Sequence, residues 1–319
     1  MNRNTLIKEL ENICGRGRIL KDEPLMRHCS FRTGGPADLL VRVGTAGQLQ
    51  GVLALLKEEG LETFLLGRGT NLLIGDKGYR GAVITMTGTG SAPDQDQSGA
   101  EPLGQVSVSG TTLTAGAGAT LQGIALTAAG QGLSGLEFAA GIPGSLGGGI
   151  VMNAGAYDGE MKQVVREVTL LEEGEIRTRT GQEMEFGYRT SYMKSHPGAV
   201  VLGAVLDLKE ADPQAVMDRI RELAVKRREK QPLEYASAGS TFKRPAIPGV
   251  YAGRLIQDAG LRGYACGDAQ VSEKHCGFVI NRGGASAAQI RSVIETVRER
   301  VYENSGILLE REVIYLGEF

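Results

Sequence analysis

The feature that most constrains this chain is a long stretch almost without charge. From Pro102 to Tyr157, 56 residues carry one charged side chain, Glu137, where the chain-wide 23% would give about 13. Residues this poor in charge belong against protein, ligand or lipid rather than water. Lipid is the weaker reading, because six glycines, Pro143, Ser145 and Asn153 interrupt the run between Phe138 and Tyr157 and make a poor lipid-facing helix. Backbone wrapped around a large ligand fits better. Glycine lets main-chain N–H groups approach closely, and the absence of charge avoids a desolvation cost. Glycine is abundant throughout, at 47 of 319 residues and without the G-X-Y period of collagen.

Charge and cysteine exclude several classes. Lys plus Arg total 35 and Asp plus Glu 37, a net charge of -2 that leaves no electrostatic footprint for nucleic acid. Cys14, Cys29, Cys266 and Cys276 lack C-x-x-C spacing and only three histidines accompany them, so neither a disulfide framework nor a metal site is expected. The first fifteen residues mix acids and bases without an apolar core, which does not read as a signal peptide. The expected location is the cytoplasm, with no membrane partner.

Hydrophobic spacing predicts helices over Leu6–Ile13, Leu49–Leu56 and Thr120–Ala129. Apolar runs bounded by glycine predict strands at Thr63–Leu66, Leu72–Ile74 and Tyr79–Met86, with a hairpin at Val164–Thr180 around Glu173-Gly174 and a further strand at Val200–Leu208. Asp212-Pro213 reads as an N-cap with proline at the first helical position, opening a basic helix to about Glu229 and a new domain. Ser286 caps the last helix, Gly306 ends it, and Ile307–Leu316 is expected as the closing strand. Residues 88–104 are polar and aperiodic; no function is assigned to them.

Two glycine loops carry the ligand argument. Gly67-Arg68-Gly69-Thr70-Asn71 lies between apolar strands, and Gly141-Ile142-Pro143-Gly144-Ser145-Leu146-Gly147-Gly148-Gly149 precedes Asn153-Ala154-Gly155-Ala156-Tyr157. Neither is a Walker A loop or a Rossmann fingerprint. Consecutive N–H groups in such turns form nests for phosphate oxygens. One loop alone reads as a tight turn; two together point to a dinucleotide.

These loops, with Leu72 and Leu73, resemble the FAD-binding loops of the UDP-N-acetylenolpyruvoylglucosamine reductase family. His28-Cys29-Ser30-Phe31-Arg32-Thr33-Gly34-Gly35-Pro36-Ala37 is similar to its N-terminal signature, Tyr188-Arg189-Thr190-Ser191 to its arginine motif, Ala238-Gly239-Ser240-Thr241-Phe242-Lys243 to its serine motif and Leu309-Glu310-Arg311-Glu312-Val313 to its glutamate motif. The blocks follow the family's order across nearly the whole chain.

The resemblance implies an α+β chain with the vanillyl-alcohol-oxidase-like (PCMH-type) fold: FAD subdomains over residues 1–88 and 104–209, a third α/β substrate-binding domain over 211–304, and a C-terminal strand over 305–319 bearing a catalytic glutamate. It implies FAD as cofactor, NADPH as hydride donor, and a UDP-sugar substrate reduced to UDP-N-acetylmuramate for peptidoglycan, by a monomer. FAD contacts carried over are Gly67, Arg68, Gly69, Thr70, Asn71 and Leu72 in the first loop. In the second they are Ile142, Pro143, Gly144, Ser145, Gly147 and Gly148, followed by Asn153, Ala154 and Gly155.

The implied reaction explains the remaining residue types. Hydride addition to an enolpyruvyl group leaves negative charge on carbon and carboxylate, which Arg189 is expected to meet. Ser240 is the expected proton donor. Glu312 is expected to orient the carboxylate end or share in protonation, although strand alternation alone puts Glu310 and Glu312 on one face. Tyr188, Lys230 and His275 are candidate substrate contacts; Lys230 also reads as a solvated helix charge and His275 as a packed residue. Arg189 and Ser240 are 51 positions apart. That spacing matches the shorter members of the family, which lack an extra tyrosine-bearing segment over the substrate. A flavin oxidase is the rival enzyme reading, disfavoured by the arginine and serine motifs. A nucleotide-binding regulator is disfavoured by Arg189, Ser240 and Glu312 occurring together.

Overall fold

The computed structural model describes residues 1–86 and 102–319, so most of the polar stretch 88–104 lies outside the described residues. Apolar runs bounded by glycine fold as their spacing dictates: strands form at Thr63–Leu66, Leu72–Ile74 and Tyr79–Met86. Thr63–Leu66 pairs in parallel with Ala82–Thr85, in a four-stranded sheet that also contains Pro36–Val43 and Ile19–Pro24.

Two compact units emerge, each assembled from three stretches of chain. The first comprises Met1–Leu20, Leu40–Gly67 and Ala82–Val225; the second comprises Lys21–Leu39, Arg68–Gly81 and Lys226–Phe319. The first unit is dominated by an antiparallel sheet in the order Glu175–Thr180, Val165–Glu172, Val200–Asp207, Thr112–Gly116, Val106–Ser109. Inward residues of the central strands, Leu113, Val168, Leu170, Ala204 and Leu206, join Ile124 and Ala128 of helix Leu121–Gly130 and Leu146 and Ile150 of helix Leu146–Val151 in one core. That core explains the uncharged stretch, since its small and apolar residues are packed between sheet and helices.

In the second unit a sheet in the order Ala236–Ser237, Val279–Asn281, Ala269–Val271, Ala265–Cys266 packs on helix Ala287–Ser305. This helix starts at a capping box, in which Ser286 Oγ accepts from Gln289 N and Gln289 Oε1 accepts from Ser286 N, and stops at left-handed Gly306. The Asp76 carboxylate accepts from Ala287 N at 2.7 Å and Ala288 N at 2.9 Å, a favourable charge at a helix start. Leu72–Ile74 pairs in parallel with Ile314–Leu316, and Asn281 Nδ2 donates to Phe31 O at 2.8 Å. These long-range bonds group Lys21–Leu39 and Arg68–Gly81 with the C-terminal part, a grouping that consecutive blocks of sequence do not display.

The closing strand expected over Ile307–Leu316 forms only at Ile314–Leu316. The chain changes partner along its length: residues 310–313 bond to 241–243, and 314–316 bond to 72–74. No single ladder runs through, so the strand is short. Among the described residues no helix is long and apolar enough to cross a membrane, and no group of histidine, cysteine and acidic side chains could hold a metal ion.

Candidate active site

Part of the second glycine loop is already committed to hydrogen bonds within the protein. Ser145 caps helix Leu146–Val151, accepting from Gly148 N at 3.4 Å, while Leu146 N and Gly147 N donate to Ala119 O and Ala117 O at 2.8 and 2.9 Å. Gly147 is buried, and a Cβ there would lie 3.2 Å from Ala117 Cβ, so its smallness serves packing and its N–H is already taken. Gly148 and Pro143 are exposed, Ile142 and Gly144 half-buried. Within the first unit Gly67 meets this loop directly: a Cβ on Gly67 would sit 2.7 Å from Ser145 Oγ. The cradle fits the diphosphate of FAD, with bare uncharged backbone at the exposed loop edge and no acidic side chain between Phe138 and Tyr157.

The rest of the first loop belongs to the second unit. Arg68 is exposed and Thr70 half-buried, Leu72 is buried in its strand, and a Cβ on Gly69 would clash with His28 O. Asn71 is tied to the C-terminal segment: Nδ2 donates to Glu312 O at 3.1 Å, and its own carbonyl accepts from Ile314 N at 3.0 Å.

Arg189 stands at the tip of a two-residue turn. Gly187 N donates to Thr190 O at 3.1 Å and Thr190 N to Gly187 O at 3.3 Å, with Tyr188 and Arg189 between them. Arg189 is left-handed at φ 53°, a conformation that costs a non-glycine residue about 1–3 kcal/mol. Its Nη2 donates to Gly155 O at 3.5 Å, and its guanidinium lies 5.3 Å from the ring centroid of exposed Tyr188. Downstream, Ser191 Oγ donates to Val151 O at 2.9 Å.

The Asn153 side chain is taken up by protein. Only 1% exposed, its Nδ2 donates to Gly187 O and Glu160 Oε2, both at 3.0 Å, while Oδ1 accepts from Lys162 N at 2.9 Å. Ala154 is equally committed, its N–H donating to Gly149 O and its carbonyl accepting from Met161 N.

In the second unit, backbone brings the serine and glutamate motifs together. Residues 241–243 run antiparallel to 310–313: Glu312 N donates to Thr241 O at 2.9 Å, Lys243 N to Glu310 O at 2.9 Å, and Phe242 bridges Arg311. Ser240 is exposed at the head of this strap, after left-handed Gly239. Thr241 is fully buried; its Oγ1 accepts from Val279 N at 2.9 Å and its N–H donates to Gly277 O at 2.8 Å. Glu310 and Glu312, inseparable by alternation, differ here: Glu310 is exposed and ion-paired to Lys243, whereas Glu312 is half-buried with its backbone fixed from both sides. Thr241 is the residue that sequence reasoning missed, although it lies inside the quoted serine motif.

Each motif is backed by a carboxylate, arginine and tyrosine cluster. Glu172 is held by Arg179 at 3.1 Å, and Arg179 donates to Tyr192 Oη at 2.6 Å and stacks on its ring. Burial works to raise the Glu172 pKa, but the hydrogen bonds to Arg179 and Tyr192 hold it below the usual range. Glu295 pairs with Arg298 and accepts from Tyr315 Oη at 2.9 Å; burial again opposes, and these bonds again hold it low.

Lys230 is exposed at the end of helix Pro213–Lys230. For His275 the geometry supports the packed reading: Nδ1 accepts from Gly277 N at 3.1 Å, the ring meets Phe278 edge-on, and burial pushes its pKa down. Burial raises the Cys14 thiol to about 11 and also raises Cys29 and Cys276, consistent with small apolar packing.

Comparison with known proteins decides what these parts belong to. Residues 37–180 match the FAD binding domain, and residues 231–316 match the C-terminal domain of UDP-N-acetylenolpyruvoylglucosamine reductase. Over 319 residues, the whole of both chains, this protein is 45% identical to the UDP-N-acetylenolpyruvoylglucosamine reductase of Clostridioides difficile (strain 630). The chain belongs to the UDP-N-acetylenolpyruvoylglucosamine reductase family. The Caldanaerobacter subterraneus subsp. tengcongensis reductase is likewise 45% identical, across 98% of each chain. The crystal structure of the Thermus caldophilus reductase superposes with a TM-score of 0.74 at 33% identity, covering 93% of this chain and 98% of that one. At 11% identity and a TM-score of 0.50, the glucose dehydrogenase Phl p 4.0202 shares the fold alone. The vanillyl-alcohol-oxidase-like α+β fold expected from the sequence is borne out, and as a family member the protein is an FAD-binding oxidoreductase.

Proposed function

We propose that this protein reduces the enolpyruvyl ether of a UDP-linked N-acetylglucosamine to UDP-N-acetylmuramate with electrons from NADPH, as a cytoplasmic monomer serving peptidoglycan synthesis. The observation that carries the reading is full-length identity of 45% to a reductase of that name, together with Arg189, Ser240 and Glu312 in the matching motifs. FAD, which the Gly67–Asn71 and 141–149 loops would hold, would supply hydride transfer from NADPH to the terminal vinyl carbon. The electron pair of the double bond then resides on the neighbouring carbon and its carboxylate.

Arg189 meets that charge with a planar guanidinium, which suits a carboxylate better than the point charge of lysine. Ser240 gives its proton to the neighbouring carbon, completing the new C–H bond. Its exposure at the head of the buried strap supports the assignment, since a donor must reach substrate while its backbone stays fixed. Glu312 orients the carboxylate end or shares in protonation. Tyr188 and Lys230 are proposed to contact the sugar nucleotide, and residues 211–304 to form most of its binding surface. The test is NADPH oxidation by purified protein with the enolpyruvyl sugar nucleotide under nitrogen. A product two hydrogens heavier, formed one per NADPH, is expected; NADPH consumption that needs oxygen and leaves the sugar nucleotide unchanged would refute the reading.

A further inference from the structure

We propose that Asn153 is a positioning residue for Arg189, setting the turn that aims the guanidinium. The inference rests on the reading of Arg189 given above and adds a residue through which it is controlled. Three hydrogen bonds join residues 151–155 to residues 187–191: Asn153 Nδ2 to Gly187 O at 3.0 Å, Ser191 Oγ to Val151 O at 2.9 Å, and Arg189 Nη2 to Gly155 O at 3.5 Å. The first two flank the turn and the third runs from its tip. Arg189 is therefore held at entry, exit and side chain by one short segment that follows the glycine-rich loop.

Backbone conformation points the same way. Eight non-glycine residues among those described have positive φ, and four of them, Asn153, Tyr157, Asp158 and Arg189, lie in this pair of segments or the hairpin that follows the first. Conformations of this kind persist where surroundings over-determine them, and they cluster at working sites. Asn153 is suited to the post because asparagine tolerates the left-handed region and its amide both donates and accepts. With Oδ1 on Lys162 N and Nδ2 shared by Glu160 and Gly187, the amide cannot rotate without breaking a bond at 1% exposure. Its contribution is rigid aim rather than contact with substrate, and misplacement of such a group by about 1 Å can cost 10²-fold in rate.

The test uses Asn153→Gly, which keeps the left-handed backbone but deletes the amide, with Asn153→Asp as a second variant that keeps an acceptor for Lys162 N and loses the donor to Gly187 O. Each is compared with Arg189→Ala and with the double variant Asn153→Gly/Arg189→Ala. Flavin content is measured first, and rates are expressed per bound flavin. In anaerobic stopped flow, return of flavin colour on adding the enolpyruvyl sugar nucleotide should slow about tenfold or more in both Asn153 variants, with bleaching by NADPH slowed far less. In the double variant the loss should equal that of Arg189→Ala alone. Hydrogen exchange supplies a readout independent of activity: the Gly187 and Thr190 amides should exchange faster in Asn153→Gly. Colour return at the wild-type rate in Asn153→Gly, or losses that multiply in the double variant, would overturn the proposal. If Arg189→Ala itself returns colour at the wild-type rate, the assignment of Arg189 fails first, and that outcome is distinct from failure of Asn153.

Discussion

The arginine turn of the first unit and the serine–glutamate strap of the second solve one problem by different means. At the turn, side chains hold backbone: the amide of Asn153 and the hydroxyl of Ser191 anchor a strained segment. At the strap, backbone holds backbone, with Thr241 and Glu312 paired in an antiparallel run, to which the Thr241 hydroxyl, the Asn71 amide and the Lys243–Glu310 ion pair add side-chain bonds. A tyrosine three residues beyond each key position, Tyr192 after Arg189 and Tyr315 after Glu312, ties each segment to a carboxylate–arginine pair. The turn can therefore lose its aim by one substitution without unfolding, whereas the strap should fail by losing stability.

Removing the guanidinium should give the largest effect. Arg189→Ala is expected to slow reduction of the enolpyruvyl substrate by about 10²- to 10³-fold, the usual loss for one donor to a developing negative charge, with the thermal midpoint within a few degrees of wild type. Turnover and calorimetry on one sample check both halves; a cooperative loss of fold would break the comparison. Thr241→Val should behave oppositely. It preserves shape but leaves the buried Val279 N–H without its acceptor, a cost of about 1–3 kcal/mol in denaturant unfolding. Turnover per folded molecule should fall less than in Arg189→Ala, and unchanged stability would show that the hydroxyl does not hold the strap.

The smallest effect is a change in acid slope. Glu172 and Glu295 have pKa values depressed in the folded state, so each stabilises above the ordinary glutamate range, and that stability is lost as pH falls through the folded value. Melting curves between about pH 6 and pH 3 should flatten in Glu172→Gln and in Glu295→Gln relative to wild type, near a reference glutamate pKa of about 4.3. Parallel curves for variant and wild type would mean that neither cluster carries the acid dependence.

Local pattern made part of this architecture legible. Thr63–Leu66, Leu72–Ile74 and Tyr79–Met86 form where apolar runs meet glycine, and Ser286 and Gly306 bound their helix because capping chemistry is local. The closing strand was not legible, since its length depends on where the chain changes partner. The cofactor loops showed through glycine and absent charge. What could not be read was which atoms in them remain available: Gly147 N–H and the Asn153 amide bond to residues 30 and 34 positions away, respectively. The link from Asn71 to Glu312 spans 241 positions. Motif resemblance named the chemical residues, but Thr241 acquires its importance from partners in two other parts of the second unit.

The central claim is that flavin reduction by NADPH and substrate reduction are separable half-reactions and that Ser240 serves only the second, where hydride addition reverses unless the neighbouring carbon is protonated. Ser240→Ala under anaerobic stopped flow tests it most directly, because the hydroxyl is exposed and its removal leaves every bond of Thr241 in place. The account predicts bleaching by NADPH at the wild-type rate, followed by failure of colour to return when the enolpyruvyl sugar nucleotide is added. Return of colour at the wild-type rate with UDP-N-acetylmuramate as product would contradict it and remove Ser240 from the chemistry.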